Sequence, residues 1–92
     1  MEIQHYDNDG RGRWFIEADG ETLGEMTYFW NSPEVFTIDH TEVGEKLKGT
    51  GSGKKLVKAA VDYARQNSLK IRATCPFAKS VLSAEEFADV LA

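Results

Sequence analysis

The chain has 92 residues, of which 41% are hydrophobic and 28% are charged, and its formal net charge is −4 at pH 7. These values predict one globular domain over residues 1–92 and exclude a disordered chain, while the negative charge argues against a nucleic-acid partner. Because no apolar run approaches the ~20 residues of a membrane span and the N-terminus lacks the parts of a signal peptide, we expect a cytoplasmic protein with no membrane contact.

The first half of the chain is predicted to form a meander of β-strands. The turn signals "NDG" at Asn8–Gly10 and "ADG" at Ala18–Gly20 suit the positive φ angles of tight hairpins, and "NSP" at Asn31–Pro33 breaks the chain again. The segments between and after these turns are rich in aromatic and β-branched residues, which is typical of strands. Up to four consecutive strands are therefore expected.

The last of these segments is "EVFTIDHTEV", in which the side chains are predicted to alternate between two faces. Strict alternation places Phe36, Ile38, His40 and Glu42 together on one face. It places Asp39 on the other face, where we expect a structural or solvated carboxylate.

From Gly53 onward the hydrophobic period changes from that of a strand to that of a helix. This helix should end near Asn67, and "LKIRATC" then returns to a period of two residues. Because a helix joins this strand to the preceding one, the two strands should be parallel. The apolar positions of the predicted helix are Leu56, Val57, Ala60, Val61 and Ala64.

The end of the chain is predicted to be helical. Pro76 closes the last strand and can start a short helix over "PFAKSVL", because its missing N–H is not needed at a helix start. Ser83 and Glu86 have the spacing of a capping box, which predicts a final short helix. The expected fold class is therefore α+β (α/β): a mixed sheet in which an antiparallel meander is followed by a β-α-β crossover and a C-terminal helix.

A glycine-rich segment, "KGTGSG", lies where the meander gives way to the long helix. Five lysines and no acidic residue lie between Lys46 and Lys58, which indicates a local anion site in an acidic protein. The P-loop pattern does not fit, because Lys55 stands where a serine or threonine is required. The dinucleotide fingerprint does not fit either, because Lys54 or Leu56 stands at its third glycine.

The segment Lys48–Gly53 fits the six-residue pattern of a basic residue or Gln, x, x, Gly, x, Gly. It lies between a predicted strand and a predicted amphipathic helix. This segment resembles the acyl-CoA-binding loop of the GNAT acetyltransferase superfamily. The resemblance implies that backbone N–H groups and the helix N-terminus bind the pyrophosphate of acetyl-CoA, and that the lysines after the loop screen it or contact the 3′-phosphate. A flexible turn that only caps the helix is the alternative. The residues so placed are Lys48, Gly49, Thr50, Gly51, Ser52, Gly53, Lys54 and Lys55.

Two further segments narrow the resemblance. "HTEV" at His40–Val43 precedes the loop and "TCPFAKSVL" at Thr74–Leu82 follows the next strand, a combination similar to the small single-domain GNAT-like proteins. The resemblance extends over most of the chain, from Trp14 to Leu82. Such proteins lack the two N-terminal helices that cover the acceptor side of larger GNAT enzymes, which implies an open acceptor site.

The resemblance also assigns positions along the acyl-CoA. It places Thr41, Glu42 and Val43 beside the pantetheine, largely through main-chain groups. It places Cys75 at the end of the neighbouring strand, close to the acetyl thioester. In the small family this cysteine is a proposed catalytic residue.

Cys75 is the chain's one cysteine, so an intramolecular disulfide is excluded, and with only two histidines we expect no metal site. It precedes Pro76 at a predicted helix start, where unpaired N–H groups stabilise a thiolate and lower its pKa. Such a thiol can accept the acetyl group or act as an acid toward the leaving CoA thiolate. The alternative is a small buried hydrophobic residue at a strand end.

His40 and Glu42 are candidate general bases, because they share a predicted strand face near the loop. Either side chain can take a proton from an incoming ammonium, directly or through water. Glu42 lies nearer to the loop in sequence. For His40 the alternative is a hydrogen-bonded strand residue without a catalytic role.

The sequence thus predicts an acetyl-CoA-dependent N-acetyltransferase that acts on an unidentified amine, either a small molecule or a protein. A non-catalytic acyl-CoA-binding or regulatory module is the main alternative, since it needs the loop but no base. An interaction domain with an incidental glycine turn is a third hypothesis, and it predicts no ligand at all.

Overall fold

A computed structural model describes residues 2–92. It contains five strands and two helices, with a 3-10 turn at Glu45–Leu47 and a 3-10 segment at Glu85–Val90. Within the described residues, no helix has the length and apolar character needed to cross a membrane. The elements are β1 (Ile3–Asp7), β2 (Arg11–Ala18), β3 (Glu21–Ser32), β4 (Val35–Val43), α1 (Ser52–Asn67), β5 (Lys70–Ala73) and α2 (Pro76–Leu82).

The strands form one sheet in the order β1-β2-β3-β4-β5. The first four are antiparallel neighbours, and β5 pairs parallel to β4 after the crossover through α1. Asp9, Asp19 and Gly20 have positive φ angles in the two hairpin turns, and Ser68 has a φ of 56° where α1 ends. The predicted meander, crossover and helix end are confirmed.

The core lies between α1 and one face of the sheet, which we call the inner face. The helix contributes the apolar stripe expected from its period, and every member of that stripe is fully buried. The opposite face of the sheet is called the outer face. The largest buried side chains of the inner face are Trp14, Met26, Tyr28, Phe36 and Ile38.

The strands β4 and β5 separate at one end of the sheet. Their parallel pairing ends at Ile38 and Ala73, and the N–H groups of Thr74 and Cys75 both donate to the Ile38 carbonyl. Strand β4 continues to Val43 beyond this point, while the chain after β5 turns into α2. A gap therefore opens between β4 and the start of α2, in front of the glycine loop.

A β-bulge at Asp39 changes the facing of the strand. His40 lies opposite Thr27 and Ile38 lies opposite Tyr28, so Asp39 is an extra residue on β4. Its carboxylate accepts hydrogen bonds on the outer face from Thr27 Oγ1 at 2.6 Å and from the Arg11 guanidinium at 2.8 Å. The structural role predicted for Asp39 is thus supported, and Asp39 lies on the face opposite Phe36 and Ile38, as predicted, but it shares that face with His40 and Glu42.

The bulge also corrects the predicted common face of the strand. Phe36 and Ile38 are buried on the inner face, but beyond the bulge the residues that face inward are Thr41 and Val43, opposite Met26 and Gly24. His40 and Glu42 do share a face, as predicted, and it is the outer one. One extra residue has shifted the alternation by one position.

The predicted capping box at the C-terminus is wrong. The Ser83 hydroxyl donates to the Ser80 carbonyl at 2.6 Å, so it serves the end of α2 and does not cap a following helix. The residues that follow form the 3-10 segment Glu85–Val90, which begins directly after Ala84. The chain then returns to the sheet, where the N–H of Ala92 donates to the Ile71 carbonyl at 3.0 Å.

A hydrogen-bonded network ties the edge strand β1 to β3. The Tyr28 hydroxyl donates to Asp7 Oδ2 at 2.5 Å, and Trp30 Nε1 donates to the same oxygen at 2.7 Å. His5 Nε2 lies 2.7 Å from the Tyr28 oxygen and must be the donor, because the hydroxyl proton is already used. We call these four side chains the β1 network.

Burial shifts the titration of the β1 network. Desolvation lowers the pKa of His5, and the nearby Asp7 charge offsets this only in part. Desolvation and the bond to Asp7 raise the pKa of Tyr28 far above its ordinary value. Desolvation acts to raise the pKa of Asp7 as well, but hydrogen bonds from Tyr28, the Asp9 N–H and Trp30 outweigh it, so the pKa stays below its ordinary value.

Candidate functional site

The glycine loop connects the 3-10 turn to α1 and has a backbone that depends on glycine. Gly49 and Gly51 have φ angles of +79° and +75°, in the left-handed region that other residues adopt only with strain. A Cβ atom added at either position would meet nothing within 4 Å. The loop therefore presents open space on the side where these glycines lie, and a ligand can approach its backbone closely.

The N-terminus of α1 offers unpaired backbone donors. The first i→i−4 bond of the helix runs from the Lys55 N–H to the Gly51 carbonyl at 3.1 Å. In the part of the chain that the structure describes, no side chain caps this end. The N–H groups of Ser52, Gly53 and Lys54 therefore lack an acceptor within the helix, at the positive end of a 16-residue helix dipole.

Thr50 and Ser52 stabilise the loop from within. The Thr50 hydroxyl lies 2.6 Å from the Leu47 carbonyl and 2.5 Å from the Ser52 hydroxyl, and Ser52 is 5% exposed. These contacts fix the loop against the 3-10 turn. The Thr50 hydroxyl thus braces the loop, and the cofactor contact predicted for Thr50 stays a prediction.

The lysines around the loop differ in their partners. Lys46 pairs with Glu21 at 2.7 Å, and Lys48 lies 3.7 Å from Glu45, both as exposed pairs of small energetic weight. The first turns of α1 carry three exposed lysines, Lys54, Lys55 and Lys58. None of the three takes part in an ion pair within residues 2–92.

A groove of about 530 Å³ runs from the loop to Thr41 on β4. Its apolar walls include Val43, Leu47 and Phe77. Two of these walls, Leu47 and Phe77, were not predicted from the sequence. Two of the predicted cofactor residues, Thr50 and Lys55, do not line the groove. Those that line it are Thr41, Val43, Lys48, Gly49, Gly51, Ser52, Gly53 and Lys54.

Cys75 lies behind Thr41 at one end of this groove and is not itself among the residues that line it. It is the residue before α2, it is 7% exposed, and its Sγ lies 3.4 Å from Thr41 Oγ1. Desolvation acts to raise the pKa of the thiol, but the Thr41 hydroxyl and the N–H groups of Ala78 and Phe77 outweigh it and hold the pKa below its ordinary value. These contacts stabilise the thiolate form of Cys75 relative to that of an ordinary cysteine.

His40 and Glu42 lie on the other side of the sheet from this thiol. Both are exposed on the outer face, where their cross-strand neighbours are Thr27 and Glu25. Thr41, which contacts Cys75, points inward between them. The structure therefore brings Cys75 and Thr41 together with the loop, and it places the two candidate bases apart from them.

The groove has three chemically distinct parts in a line. Unpaired N–H groups and lysine charges lie at one end, and apolar side chains form the middle. Thr41, which contacts the buried thiol of Cys75, lies at the other end. A pyrophosphate, a flexible pantetheine arm and a thioester have the matching order. The residues present therefore fit an acyl-CoA.

The model of the family described as GCN5-related N-acetyl-transferase matches residues 13–90. Protein NATD1 of Homo sapiens is 34% identical to the chain over 71 residues, which is 75% of this chain. The chain spans 63% of the length of that human protein. Residues 13–90, which the family model matches, contain the loop, the groove and Cys75.

Solved structures agree with the fold. The NMR solution structure of a GCN5-like protein from Staphylococcus aureus is 40% identical, covers 99% of this chain and 87% of its own, and superposes with a TM-score of 0.76. A GNAT family acetyltransferase from Elizabethkingia anophelis, solved with acetyl-CoA bound, is 21% identical with a TM-score of 0.56, over 67% of this chain and 41% of its own. At that identity the second likeness concerns the fold alone.

Proposed function

Because the chain belongs to the GCN5-related N-acetyltransferase family, we propose that it transfers the acetyl group of acetyl-CoA to an amine. The observation that carries this proposal is the groove, which runs from an open loop with unpaired N–H groups to Thr41, the contact of the buried Cys75. The acceptor is an amine on a small molecule or a protein. The transfer reaction takes place in the cytoplasm.

The loop and the helix N-terminus bind and orient the donor. The N–H groups of Ser52, Gly53 and Lys54 hold the pyrophosphate, and the lysine charges attract it. Val43, Leu47 and Phe77 exclude water from the pantetheine. The bound acetyl-CoA supplies an activated acetyl group, and the groove aligns that group with the Cys75 end.

Cys75 acts on the thioester in one of two ways. As a thiolate, its Sγ forms a bond to the acetyl carbon while the bond from that carbon to the CoA sulfur breaks, and the amine then takes the acetyl group from Cys75. As a thiol, it donates its proton to the departing CoA sulfur while the amine attacks directly. In both cases the Thr41 hydroxyl stabilises the charged form of Cys75.

The incoming ammonium must lose a proton before its nitrogen can attack. His40 and Glu42 remain the candidates for that role, and they can serve only an amine that approaches from the outer face. No other group is assigned to this step.

The substitution Gly51→Glu tests the proposal at the loop. It adds a side chain and a negative charge where the pyrophosphate approaches, so we expect CoA affinity to fall by roughly a hundredfold or more, as for a like charge against a bound phosphate. Isothermal titration calorimetry with CoA measures this change.

The matched control is Gly20→Glu in the β2–β3 turn. Gly20 has a φ of +76° and an equally open Cβ position, so it carries the same backbone strain and the same added charge away from the groove. Its CoA affinity should equal that of the unmodified protein. Equal affinities in both variants would overturn the assignment of the loop.

A further inference from the structure

A second cavity, of about 620 Å³, lies at the β5 end of the sheet. One side of it is formed by the outer face, where Phe29, Thr37 and Arg72 are neighbours across β3, β4 and β5. The other side is formed by α2 and the last residues of the chain. The cavity shares no lining residue with the groove described above. We call it the edge cavity.

The edge cavity and the groove approach Cys75 from different sides of the sheet. The groove ends at Thr41, which points inward. The edge cavity is lined by Thr74, the residue directly before Cys75, and by Lys79, whose N–H donates to the Cys75 carbonyl at 2.9 Å. A molecule in the edge cavity therefore lies beside the place where the acetyl group is proposed to be held.

The edge cavity is positively charged, although the protein as a whole has a net charge of −4. Arg72 and Lys79 both line it, and none of its lining side chains is acidic. Among the described residues, neither cation forms an ion pair, with an acidic side chain or with the carboxylate of Ala92. Two cations without a counterion at one cavity favour the binding of an anion.

The remaining walls combine apolar surface with a neutral donor. Leu82 and Leu91 line the cavity together with Phe29. The Asn31 oxygen accepts from Thr37 Oγ1 at 2.5 Å, and within the described residues its N–H₂ group has no acceptor. A partly apolar cavity holds a carboxylate, with its single charge, at a lower desolvation cost than a phosphate dianion.

We propose that the edge cavity is the acceptor site and that the acceptor is an amine with a carboxylate, which Arg72 and Lys79 hold. This proposal rests on the proposed function, because acetyl-CoA must occupy the groove. Arg72 precedes Cys75 by three residues, at most about 11 Å of chain, so several bonds should separate the amine from the carboxylate.

The transfer step itself needs no further reactant. The nitrogen of the neutral amine forms a bond to the acetyl carbon, and the bond from that carbon to the sulfur breaks. The proton that the nitrogen loses passes to the sulfur, so the products are an amide and a thiol.

Acetylation of 6-aminohexanoate and of 6-aminohexanamide tests the proposal, because the two amines differ only in the charge of the group at the far end. The unmodified protein should have a kcat/KM roughly tenfold higher for the carboxylate. Arg72→Gln and Lys79→Gln should each lower the value for 6-aminohexanoate by roughly threefold to tenfold, through KM, and leave that for 6-aminohexanamide unchanged.

Lys70→Gln is the matched control. Lys70 lies two residues before Arg72 on the same strand and carries the same charge, but it does not line the edge cavity. The preference for the carboxylate should therefore remain in this variant. Arg72→Gln and Lys79→Gln should bind acetyl-CoA as the unmodified protein does, because neither residue lines the groove.

A binding measurement that needs no turnover locates the site. NMR titration with 6-acetamidohexanoate, the expected product, should shift the backbone N–H signals of Thr74 and Lys79, and Arg72→Gln should weaken this binding. The proposal is overturned if these signals do not shift, if the two amines react equally well, or if Arg72→Gln slows both alike. Transfer to neither amine by a protein that binds acetyl-CoA also overturns it. A protein that does not bind acetyl-CoA contradicts the proposed function itself, which is a different result.

Discussion

The two ends of the sheet are built in opposite ways. At one end, the β1 network joins His5, Tyr28, Asp7 and Trp30 through side-chain hydrogen bonds, and in the described part of the chain no buried side-chain nitrogen or oxygen lacks a partner. At the other end, the glycine loop is held by its backbone and by Thr50, while its N–H groups and the α1 lysines remain unpaired.

This difference separates stability from binding within one small domain. Polar groups that satisfy each other contribute to folding and have nothing left to offer a ligand. Polar groups that are left open contribute little to folding, but they are available to an anion. Substitutions at the β1 network should therefore change the free energy of unfolding, and substitutions at the loop should change CoA affinity.

Gly12→Ala should have the largest effect on stability. A Cβ at this position would overlap the Tyr28 ring and lie 2.6 Å from the Tyr6 carbonyl oxygen. The Tyr28 side chain can therefore extend over β2 toward β1 only because residue 12 is a glycine. We expect a loss of about 3 kcal/mol in the free energy of unfolding, measured by urea denaturation.

The control for this substitution is Gly10→Ala. An added Cβ at Gly10 meets nothing within 4 Å, so the loss should be well below that of Gly12→Ala. Similar losses in the two variants would show that the close contact with Tyr28 is not what makes Gly12 necessary.

Tyr28→Phe should have a smaller effect of the same kind. It removes the hydroxyl that donates to Asp7 and accepts from His5, and we expect a loss of about 1–3 kcal/mol in the free energy of unfolding. Tyr6→Phe, at a residue that is 56% exposed, should be nearly neutral. A Tyr28→Phe variant that keeps its stability but loses CoA affinity would contradict the separation of the two ends.

The pH dependence of folding should show the smallest effect. Burial lowers the pKa of His5 in the folded state below its ordinary value of 6.5. Between the folded-state pKa and 6.5, the unfolded state therefore binds the proton more readily. Stability contributed by neutral His5 is present above pH 6.5 and is lost as the pH falls below that value. His5→Gln should reduce this decline in thermal melts between pH 7.5 and 5.

His40→Gln is the control, because His40 lies exposed on the outer face and outside the β1 network. Its melting temperatures should follow those of the unmodified protein across the same pH range. An unchanged decline in His5→Gln would mean that His5 is not the group responsible.

The elements with local signals were predictable from the sequence. Asp-Gly pairs set positive φ angles in two hairpins, and the helical period of α1 needed only its own residues. The bulge at Asp39 had no such signal, because it is defined by the register of β4 against Thr27 and Tyr28 on β3. For that reason the facing of His40 and Glu42 relative to the core could not be predicted.

The candidate site likewise has parts that could be predicted from the sequence and parts that could not. The glycine loop and the position of Cys75 before a helix could be found from contiguous residues. The groove wall at Phe77 and the contact between Cys75 and Thr41 depend on how α2 packs beside α1 and β4, far apart in sequence. The available signal for this wall was an aromatic residue, Phe77, directly after Pro76 at a predicted helix start.

Intact mass spectrometry after incubation with acetyl-CoA, under native and then denaturing conditions, tests the central claim most directly. The account predicts one acetyl-CoA bound to the native protein and none bound to Gly51→Glu. An acetyl group that survives denaturation on Cys75, and is missing from Cys75→Ala, would identify the covalent route, while a bare protein after denaturation would argue against an acetylated Cys75. No adduct on the native protein would contradict the account.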